Sequence, residues 1–568
     1  MIKARIDAEN PDANMGSYDE TCEGFEWSEM EKAFSWHETG KINIVHEAID
    51  RWASDPQRQG KTALIFEKAG HVEEFTYLDL KEKSNQWANL LARYGFDTGD
   101  RFFIFLPPCP EIYFCILACA RMGILFCPVY DSFTFDELGV RLKDARPRGI
   151  LTHPDLVEVI PVEAAESVSH VFLTEGPLPD VFPNEVLVSG VPEQMPKEFS
   201  NVWLKGDSPL YLSYTSGATG PPKGVVHGHH DMVGILMSGR FALDLREDTI
   251  LWTDADPSWV TGSVYGAFAP WLCGCTSLVE GDPFEASNWY WTLEKHRVST
   301  WYTTPRTIRR LMEAGDDLPG RYDFASLRNI ATVGAPLVPD LFYWTKKHLG
   351  HAPHDTWWMT ETGIISIANF PSMDIKPGSI GKPLPGVEAA ILDESGEPMP
   401  PMSMGELALK VGWPGMMNGL WQDEARYQEY FRVEGWFLTG DIAIRDDEGY
   451  FYHQGRNDDL IKAGGDKVIG PYEIEQILAM HPAVAEGAVI SKGVAPDQGV
   501  SFLKAFIALN RGFTPSARLK HEIVAFLRGS LSSDIVVKEI AIMDRLPRTR
   551  SGKLLRRALR AGELGLPV

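Results

Sequence analysis

The stretch YTSGATGPPK, residues 214–223, combines residue types that are typical of a phosphate-binding loop. Together with Gly224 it holds three glycines, three serine or threonine hydroxyls and one lysine. Glycines let backbone amides approach a ligand closely, hydroxyls donate hydrogen bonds, and the lysine adds a positive charge. Pro222 stands where a Walker A loop has glycine before its lysine, so the order of residues differs from that motif. The composition favours a phosphate loop, and a plain surface turn is the alternative.

Length, composition and charge limit the class of protein. With 568 residues the chain is too long for a single core, and two to four domains or subdomains are expected. The net charge of -24 argues against general binding of nucleic acid or of anionic membranes, because these carry the same sign of charge. The polar, acidic start shows no secretory signal, and seven cysteines, an odd number, fit a reducing compartment. A cytoplasmic location is expected.

Strand-like and helix-like segments alternate on both sides of the loop, which is the pattern of parallel α/β layers. The most apolar segment, residues 101–130, is interrupted by prolines, Glu111 and Arg121. It therefore predicts a strand, a helix and a strand in a core, and not a membrane span. From Gly396 the sequence predicts short strands and tight turns, and the last ~110 residues predict a small α+β domain.

The loop resembles the phosphate loop of the adenylate-forming superfamily, which includes acyl-CoA synthetases, firefly luciferases and the adenylation domains of peptide synthetases. Five more motifs resemble those of the superfamily, in its order and at about its spacing: VGAP (333–336), DTWWMTETG (355–363), GWFLTGD (435–441), GRNDDLIKAGG (455–465) and LPRTRSGKLLRR (546–557). The resemblance covers most of the chain from about Asn43 onward. It is closest to the acetyl-CoA and other short-chain acyl-CoA synthetases.

The resemblance implies an α/β fold with two domains. Residues 1–457 would form a large N-terminal domain of layered α/β subdomains plus a β-rich subdomain, with the ATP and acyl sites. Residues 458–568 would form a small, mobile α+β domain that carries a catalytic lysine. The implied enzyme is an AMP-forming acid-thiol ligase that uses ATP, Mg²⁺ and coenzyme A. A carboxylate attacks the α-phosphate of ATP, pyrophosphate leaves, and the thiol of coenzyme A then displaces AMP.

The motifs imply roles in the nucleotide site by position. The residues expected to bind ATP or AMP are Thr215, Ser216, Gly217, Thr219, Gly220, Lys223, Gly334, Ala335, Pro336, Asp355, Thr356, Trp357, Asp441 and Arg456. Thr360 would contact the α-phosphate, and Glu361 would meet the Mg²⁺ that bridges the phosphates. Ala335 departs from the Gly-Glu-Pro that is common in the superfamily. Taken singly, such residues also fit helix caps and turns, but the ordered set favours the site.

The basic segment near the end of the chain holds seven lysines and arginines and no acidic residue between positions 545 and 560. Its alternatives are a solvated helix face or a weak polyanion patch. By resemblance, Lys553 would bridge the attacking carboxylate and the α-phosphate, since its charge reduces the repulsion between two anions. Acylation of Lys553 by a protein acetylase, reversed by a deacetylase, would remove that charge and control the first step.

The resemblance also implies that the small domain rotates between the two half-reactions. Asp458 matches the hinge. Gly465 would line the thiol channel, and Arg528 is expected at the coenzyme A nucleotide. Lys467, expected to be catalytic, replaces the usual arginine, in a segment before Pro471 that is one residue longer than usual.

The expected acid is acetate, by resemblance to the acetate and propionate branch. Val260, Thr261, Val333 and Trp358 match the acyl-pocket positions of that branch, where an indole fills the volume that a longer chain needs. The stretch YDSFT (130–134) and Met359 depart from the branch. Propionate, butyrate or a hydroxy acid therefore remain alternatives.

Other interpretations belong to different classes of protein. A non-catalytic adenylate-binding protein would have the same fold, but here every catalytic position is filled. An adenylation domain that loads a carrier protein is a second alternative, and the absence of an attached carrier domain favours free coenzyme A. HGHH (227–230) and the pair Cys115 and Cys119 could suggest metal sites, but a buried turn and buried small hydrophobic residues are favoured.

Overall fold

The structure, a computed structural model, describes residues 8, 10, 13–215, 222–459, 461–462, 468–494, 501–510, 512–531, 537–548 and 554–564. The α-helices in these ranges are Tyr18–Glu23, Trp27–Glu31, Trp36–Thr39, Arg51–Ala53, Tyr77–Arg93, Pro110–Met122, Phe135–Ala145, Met232–Ala242, Val260–Ser263, Ala269–Leu272, Ala286–Lys295, Pro305–Ala314, Pro339–Leu349, Glu424–Glu429, Pro471–Ala479, Ala517–Ser530 and Arg556–Leu564. Two π-helices, His46–Asp50 and Val264–Phe268, adjoin the α-helices Arg51–Ala53 and Ala269–Leu272.

The first sheet is mostly parallel and supplies the edge at which the candidate site lies. Its strands, in spatial order, are Lys382–Pro383, Ile367–Ala368, Pro353–Trp357, Asn329–Thr332, Thr300–Thr303, Ile250–Thr253, Thr276–Glu280, Thr62–Lys68 and His71–Thr76. The six strands from Pro353–Trp357 to Thr62–Lys68 run parallel, and antiparallel strands flank them on both sides. The central strands are buried throughout, as parallel strands covered on both faces are.

The second sheet carries the loop quoted above. Its strands, in spatial order, are Gly419–Leu420, Lys223–Gly228, Pro209–Thr215, Leu125–Pro128, Arg101–Phe105, Gly149–Thr152, His170–Leu173 and Glu185–Leu187. Pro209–Thr215 and Lys223–Gly228 pair in antiparallel register, with Thr215 opposite Lys223. These two strands therefore form a hairpin, and Lys223 begins the second of them.

The β-rich part and the C-terminal part form smaller sheets. An antiparallel sheet contains Ala389–Leu392, Met404–Lys410, Trp436–Arg445 and Phe451–Arg456. The strands Ile461–Lys462 and Val468–Ile469 pair with each other. Val484–Val494, Ser501–Leu509 and Val537–Ile542 form a further sheet, which shares a core with the helices Pro471–Ala479 and Ala517–Ser530.

The alternation predicted from the sequence is confirmed. Residues 101–130 form the strand Arg101–Phe105, the helix Pro110–Met122 and the strand Leu125–Pro128 in the main core, as predicted. Proline at the start of this helix and the left-handed Gly123 after it fix its ends. Within the described ranges, no helix is both long and apolar enough to span a membrane.

Candidate active site

The candidate site lies where two neighbouring parallel strands of the first sheet end. Asn329–Thr332 leads into Val333 and Gly334, and Pro353–Trp357 leads into the segment that contains Trp358 and Glu361. Carboxyl ends of parallel strands are where α/β sheets commonly bind ligands. Gly334 has a φ of +90°, and a Cβ there would lie 2.9 Å from the indole of Trp259, so this turn requires glycine.

Lys223 and Glu361 meet in the part of the site that is expected to bind phosphate, which we call the phosphate end. Their side chains form a buried ion pair, and the hydroxyl of Tyr430 contacts both. The Tyr430 hydroxyl donates to Glu361 Oε1 at 3.1 Å, and the Lys223 ammonium lies 4.8 Å from the centroid of the Tyr430 ring. Burial alone would raise the pKa of Glu361, but the charge of Lys223 and its hydrogen bond hold that pKa below the ordinary value. Glu361 is therefore ionised at neutral pH.

The turn that presents Glu361 is fixed by buried polar contacts. Thr360–Thr362 is one turn of 3-10 helix, and the carbonyl of Thr360 lies 2.7 Å from His227 Nε2. The other ring nitrogen of His227 lies 2.7 Å from Asp231 Oδ2, so both ring nitrogens have hydrogen-bond partners. Gly363 ends the turn at a φ of +67°, where a Cβ would lie 2.0 Å from the carbonyl oxygen of Gly415. A side chain at Gly363 would therefore displace Glu361.

Asp441 forms a second buried charged cluster, which is expected to bind the ribose and which we call the ribose end. Its carboxylate accepts from several donors. Trp357 Nε1 donates to Oδ2 at 2.8 Å, and Arg456 Nη1 donates to Oδ1 at 2.7 Å. His453 Nε2 lies 3.4 Å from Oδ2. Burial alone would raise the pKa of Asp441, but the charges of Arg456 and His453 hold that pKa well below its ordinary value.

Asp355 is a third buried carboxylate, and its hydrogen-bond donors are neutral. Thr332 Oγ1 donates at 2.7 Å and the backbone amide of Leu337 donates at 3.2 Å. Burial raises the pKa of Asp355 to about 7. The neighbouring Thr356 hydroxyl lies 2.9 Å from the Tyr302 hydroxyl and donates to the carbonyl of Thr332, so it is used inside the core.

Trp358 is held by two tyrosines at the expected acyl pocket. Its Nε1 donates to the Tyr302 hydroxyl at 3.0 Å, and its ring meets the Tyr265 ring edge-on with the centroids 5.1 Å apart. The other expected pocket residues, Val260, Thr261 and Val333, are buried. Within the described ranges the buried Thr261 hydroxyl has no hydrogen-bond partner.

The structure brings most of the expected nucleotide residues to these strand ends. Gly334 and Pro336 are half-buried and Ala335 is exposed. Thr215 ends the first strand of the hairpin with its hydroxyl buried and, within the described ranges, unpartnered. Arg528 is exposed on the helix Ala517–Ser530. Asp458 lies in the 3-10 turn Asn457–Asp459. The expected residues outside the described ranges are Ser216, Gly217, Thr219, Gly220, Gly465, Lys467 and Lys553.

Two residues of the site were missed by the sequence analysis, namely Tyr430 and His453. Tyr430 lies outside every quoted motif, five residues before GWFLTGD, and no sequence signal links it to Glu361. His453 lies three residues before Arg456, a spacing that puts two side chains on opposite faces of a regular strand. A bulge between Ile442 and Ala443 shifts the register, which explains how His453 and Arg456 both reach Asp441.

The histidines of HGHH have three separate sets of contacts. His227 bonds to Asp231 and to the carbonyl of Thr360, as described above. His229 Nδ1 accepts from the amide of Ile44 at 3.2 Å, and burial lowers the pKa of His229 to about 3. His230 Nε2 lies 3.0 Å from Glu31 Oε1. These contacts assign the histidines to packing and to support of the Thr360 turn.

Comparison with known proteins identifies the family to which the chain belongs. Residues 50–421 match the family described as AMP-binding enzyme, and residues 473–553 match the AMP-binding enzyme C-terminal domain. The chain belongs to the AMP-binding enzyme family. The superfamily predicted from the six motifs and the mixed α/β fold class are thereby confirmed.

Two similar proteins of known name are acetyl-coenzyme A synthetases, and a similar solved structure is that of a CoA ligase. The chain is 45% identical to the acetyl-coenzyme A synthetase of Bacillus subtilis over 98% of this chain and 97% of that protein. It is 36% identical to the acetyl-coenzyme A synthetase of Methanothrix thermoacetophila, over 94% and 85%. A crystal structure of an anthranilate CoA ligase with anthranoyl-AMP is similar with a TM-score of 0.84 and 26% identity, over 92% of this chain and 98% of that one.

Proposed function

We propose that this chain is an AMP-forming acetyl-coenzyme A synthetase, which joins acetate to coenzyme A through an acetyl-adenylate and releases pyrophosphate and AMP. The observation that carries the proposal is the 45% identity to the Bacillus subtilis acetyl-coenzyme A synthetase, which extends over 98% of the chain. The arrangement of Lys223, Glu361 and Asp441 at the strand ends supports the same conclusion, because it supplies charged groups for the two ends of a nucleotide.

The acyl pocket supports a short acid. Because Trp358 is fixed by Tyr302 and by Tyr265, its indole cannot swing aside without breaking a hydrogen bond and a ring contact. Overlap with a rigid group in a packed pocket is costly, so chains longer than two or three carbons are expected to be rejected. The buried Thr261 hydroxyl is available to the substrate carboxylate.

The nucleotide site would hold ATP with its phosphates near Lys223 and its ribose near Asp441. Thr215, with the loop that follows it, would bind the β- and γ-phosphates, Thr360 the α-phosphate, and Gly334 to Pro336 with Asp355 to Trp357 the adenosine. The ionised Glu361 fits Mg²⁺, which is usually bound through one or two carboxylates together with substrate phosphates. When bound, Mg²⁺ would neutralise charge on the phosphates.

The C-terminal residues complete the proposed reaction. Lys553 would bridge acetate and the α-phosphate, Lys467 would be a further catalytic residue, and the domain formed by residues 458–568 would rotate about Asp458. Gly465 would then line the thiol channel, and Arg528 would bind the coenzyme A nucleotide. Lys553→Ala is expected to abolish adenylation and to spare thioester formation from supplied acetyl-adenylate. Equal loss of both half-reactions would contradict this role.

The proposed location is the cytoplasm, because all seven cysteines are free thiols, as in a reducing compartment. Reversible acylation of Lys553 by a protein acetylase and deacetylase is the proposed control, since it removes the charge that adenylation requires.

The test is acid-dependent exchange of labelled pyrophosphate into ATP without coenzyme A, across acetate, propionate, butyrate, 4-hydroxybutyrate, benzoate and octanoate. Acetate is expected to give the highest ratio of kcat to KM, and Trp358→Gly is expected to move the preference towards longer acids. Trp203→Gly removes an exposed indole away from the site and is the matched control. A preference for benzoate or octanoate in the unmodified chain would contradict the acetate assignment, and exchange with none of the acids would contradict the enzyme class.

A further inference from the structure

The Tyr430 hydroxyl lies between the two charged groups of the phosphate end. The Lys223 ammonium donates to the Tyr430 oxygen, and the same hydroxyl donates its own hydrogen to Glu361 Oε1 at 3.1 Å. A tyrosine hydroxyl is ordinarily protonated at neutral pH, so it has a hydrogen to donate. It therefore donates this hydrogen bond to Glu361.

The position of the Tyr430 ring is set by packing that does not involve the charged groups. The ring stacks on Phe437 with the centroids 5.2 Å apart and an interplanar angle of 1°. The carbonyl of Tyr430 accepts from the amide of Leu438 at 2.8 Å. Phe437 and Leu438 belong to the strand Trp436–Arg445, which also carries Asp441. Tyr430 thus connects Glu361 to the strand that supplies the ribose end.

Binding of a metal–nucleotide would change the partners of Lys223 and Glu361, whereas the packing that places Tyr430 would stay the same. A triphosphate would attract the lysine and a divalent cation would attract the carboxylate, so the direct ion pair between them is expected to open. With Lys223 drawn to the phosphates, the Tyr430 hydroxyl would still donate to Glu361 Oε1 and hold the carboxylate that would bind the cation. Such outer contacts orient a metal-binding carboxylate and are costly to remove.

We propose that Tyr430 is a positioning residue for Glu361, which holds this carboxylate in place for Mg²⁺ when the nucleotide separates it from Lys223. This inference rests on the proposed function and adds to it a residue that acts specifically on the metal-dependent part of ATP binding. Its loss is expected to weaken binding of ATP with Mg²⁺ while affecting metal-free ATP little.

The test compares Tyr430→Phe with Tyr427→Phe, the same substitution three residues earlier in the adjoining helix Glu424–Glu429. Phenylalanine keeps the stacking on Phe437, so the variant is expected to fold, and thermal unfolding checks this. Isothermal titration calorimetry measures the Kd of ATP with Mg²⁺ and with EDTA. For Tyr430→Phe, the ratio of the Kd in EDTA to the Kd in Mg²⁺ is expected to fall about tenfold, the usual effect of losing a hydrogen bond to a charged group. For Tyr427→Phe it is expected to stay unchanged.

A second measurement covers the case in which metal-free ATP binds too weakly for calorimetry. The Mg²⁺ concentration that gives half-maximal acetate-dependent pyrophosphate exchange is expected to rise in Tyr430→Phe, with the KM for acetate unchanged. An unchanged ratio and Mg²⁺ requirement, or equal changes in Tyr430→Phe and Tyr427→Phe, would overturn the role of Tyr430. Failure of the unmodified chain to exchange pyrophosphate with any acid would instead overturn the proposed function on which this role rests.

Discussion

The phosphate end and the ribose end of the site both contain a buried carboxylate beside a cation, but they are built for different events. At the phosphate end, Glu361 pairs with Lys223, and both are expected to bind parts of the same Mg²⁺–nucleotide. At the ribose end, Asp441 accepts from Trp357 and Arg456, which keep it ionised and oriented. The proposed function requires the first pair to open when the nucleotide binds, whereas the second could stay intact.

On this proposal, the ribose end is already arranged for the nucleotide, whereas Lys223 and Glu361 at the phosphate end pair with each other until the nucleotide binds. A preformed ribose end would not need to rearrange when the nucleotide binds, and it would fix the orientation of the nucleotide. Lys223 and Glu361 pair with each other while no ligand is bound. A buried charge without a partner would be costly, and the ion pair avoids that cost. We expect substitutions at the two ends to differ in their dependence on Mg²⁺.

The largest effect is expected from Asp441→Asn. Removing the charge takes away the carboxylate that pairs with Arg456 and weakens the acceptor for the ribose hydroxyls, so kcat/KM for ATP in acetate-dependent exchange is expected to fall about a hundredfold. The loss should be equal in calorimetric titrations with and without Mg²⁺. Asp446→Asn, in the turn after the same strand, is the control, because Asp446 pairs with Lys376 outside the site. A purely Mg²⁺-dependent loss in Asp441→Asn would break the comparison.

Glu361→Gln is expected to act in opposite directions with and without the metal. It frees Lys223 and removes a negative charge near the phosphates, so ATP in EDTA should bind more tightly than to the unmodified chain. The gain in affinity from Mg²⁺ should fall about tenfold or more, because a neutral amide is a poor ligand for this cation. Calorimetry measures both quantities, and Glu388→Gln, an exposed partner of Lys410, is the control. Weaker binding in EDTA would contradict a pair that the nucleotide must open.

A smaller effect is expected from His453→Gln at the ribose end. The His453–Asp441 contact is long, at 3.4 Å, and two stronger donors to Asp441 remain. The KM for ATP is expected to rise about threefold with kcat unchanged, as for loss of a modest hydrogen bond. Steady-state kinetics check this, with His521→Gln on an exposed helix face as the control. A large fall in kcat would show that His453 does more than orient Asp441.

The smallest expected effect is on the pH dependence of the free energy of unfolding. It distinguishes Asp355 from Glu361 and Asp441, which have cationic partners. Its pKa is raised to about 7, so the folded protein binds this proton more tightly than the unfolded chain does. The free energy of unfolding of the unmodified chain, relative to Asp355→Asn, should therefore decrease as the pH rises from 5 to 8. For Glu361 and Asp441 the pKa is lowered, so their stabilising contribution should be lost only as the pH falls below about 4. Urea unfolding at several pH values measures both trends. If the free energy of unfolding of the unmodified chain, relative to Asp355→Asn, increased from pH 5 to 8, the raised pKa of Asp355 would be contradicted.

The sequence predicts the fold class well, because the length and hydrophobic pattern of each segment depend on local order along the chain. Apolar segments of strand and helix length predicted the α/β layers, and the motif resemblance placed Lys223, Glu361 and Asp441 in one site. The residues that were missed depend on tertiary packing. Tyr430 reaches Glu361 only through its stacking on Phe437, and His453 reaches Asp441 only because a bulge shifts the strand register. The roles of the motif residues, the domain boundary at residues 457 and 458 and the role of Lys553 stay predictions.

The most direct test of the account is a crystal structure of the chain with Mg²⁺ and a non-hydrolysable ATP analogue, compared with crystals grown without nucleotide. The account predicts that Lys223 leaves Glu361 for the phosphates, that the Tyr430 hydroxyl stays within hydrogen-bond distance of Glu361, and that Trp357 and Arg456 keep their contacts with Asp441. An intact Lys223–Glu361 pair beside bound nucleotide, or a ribose end that rearranges as much as the phosphate end, would contradict it.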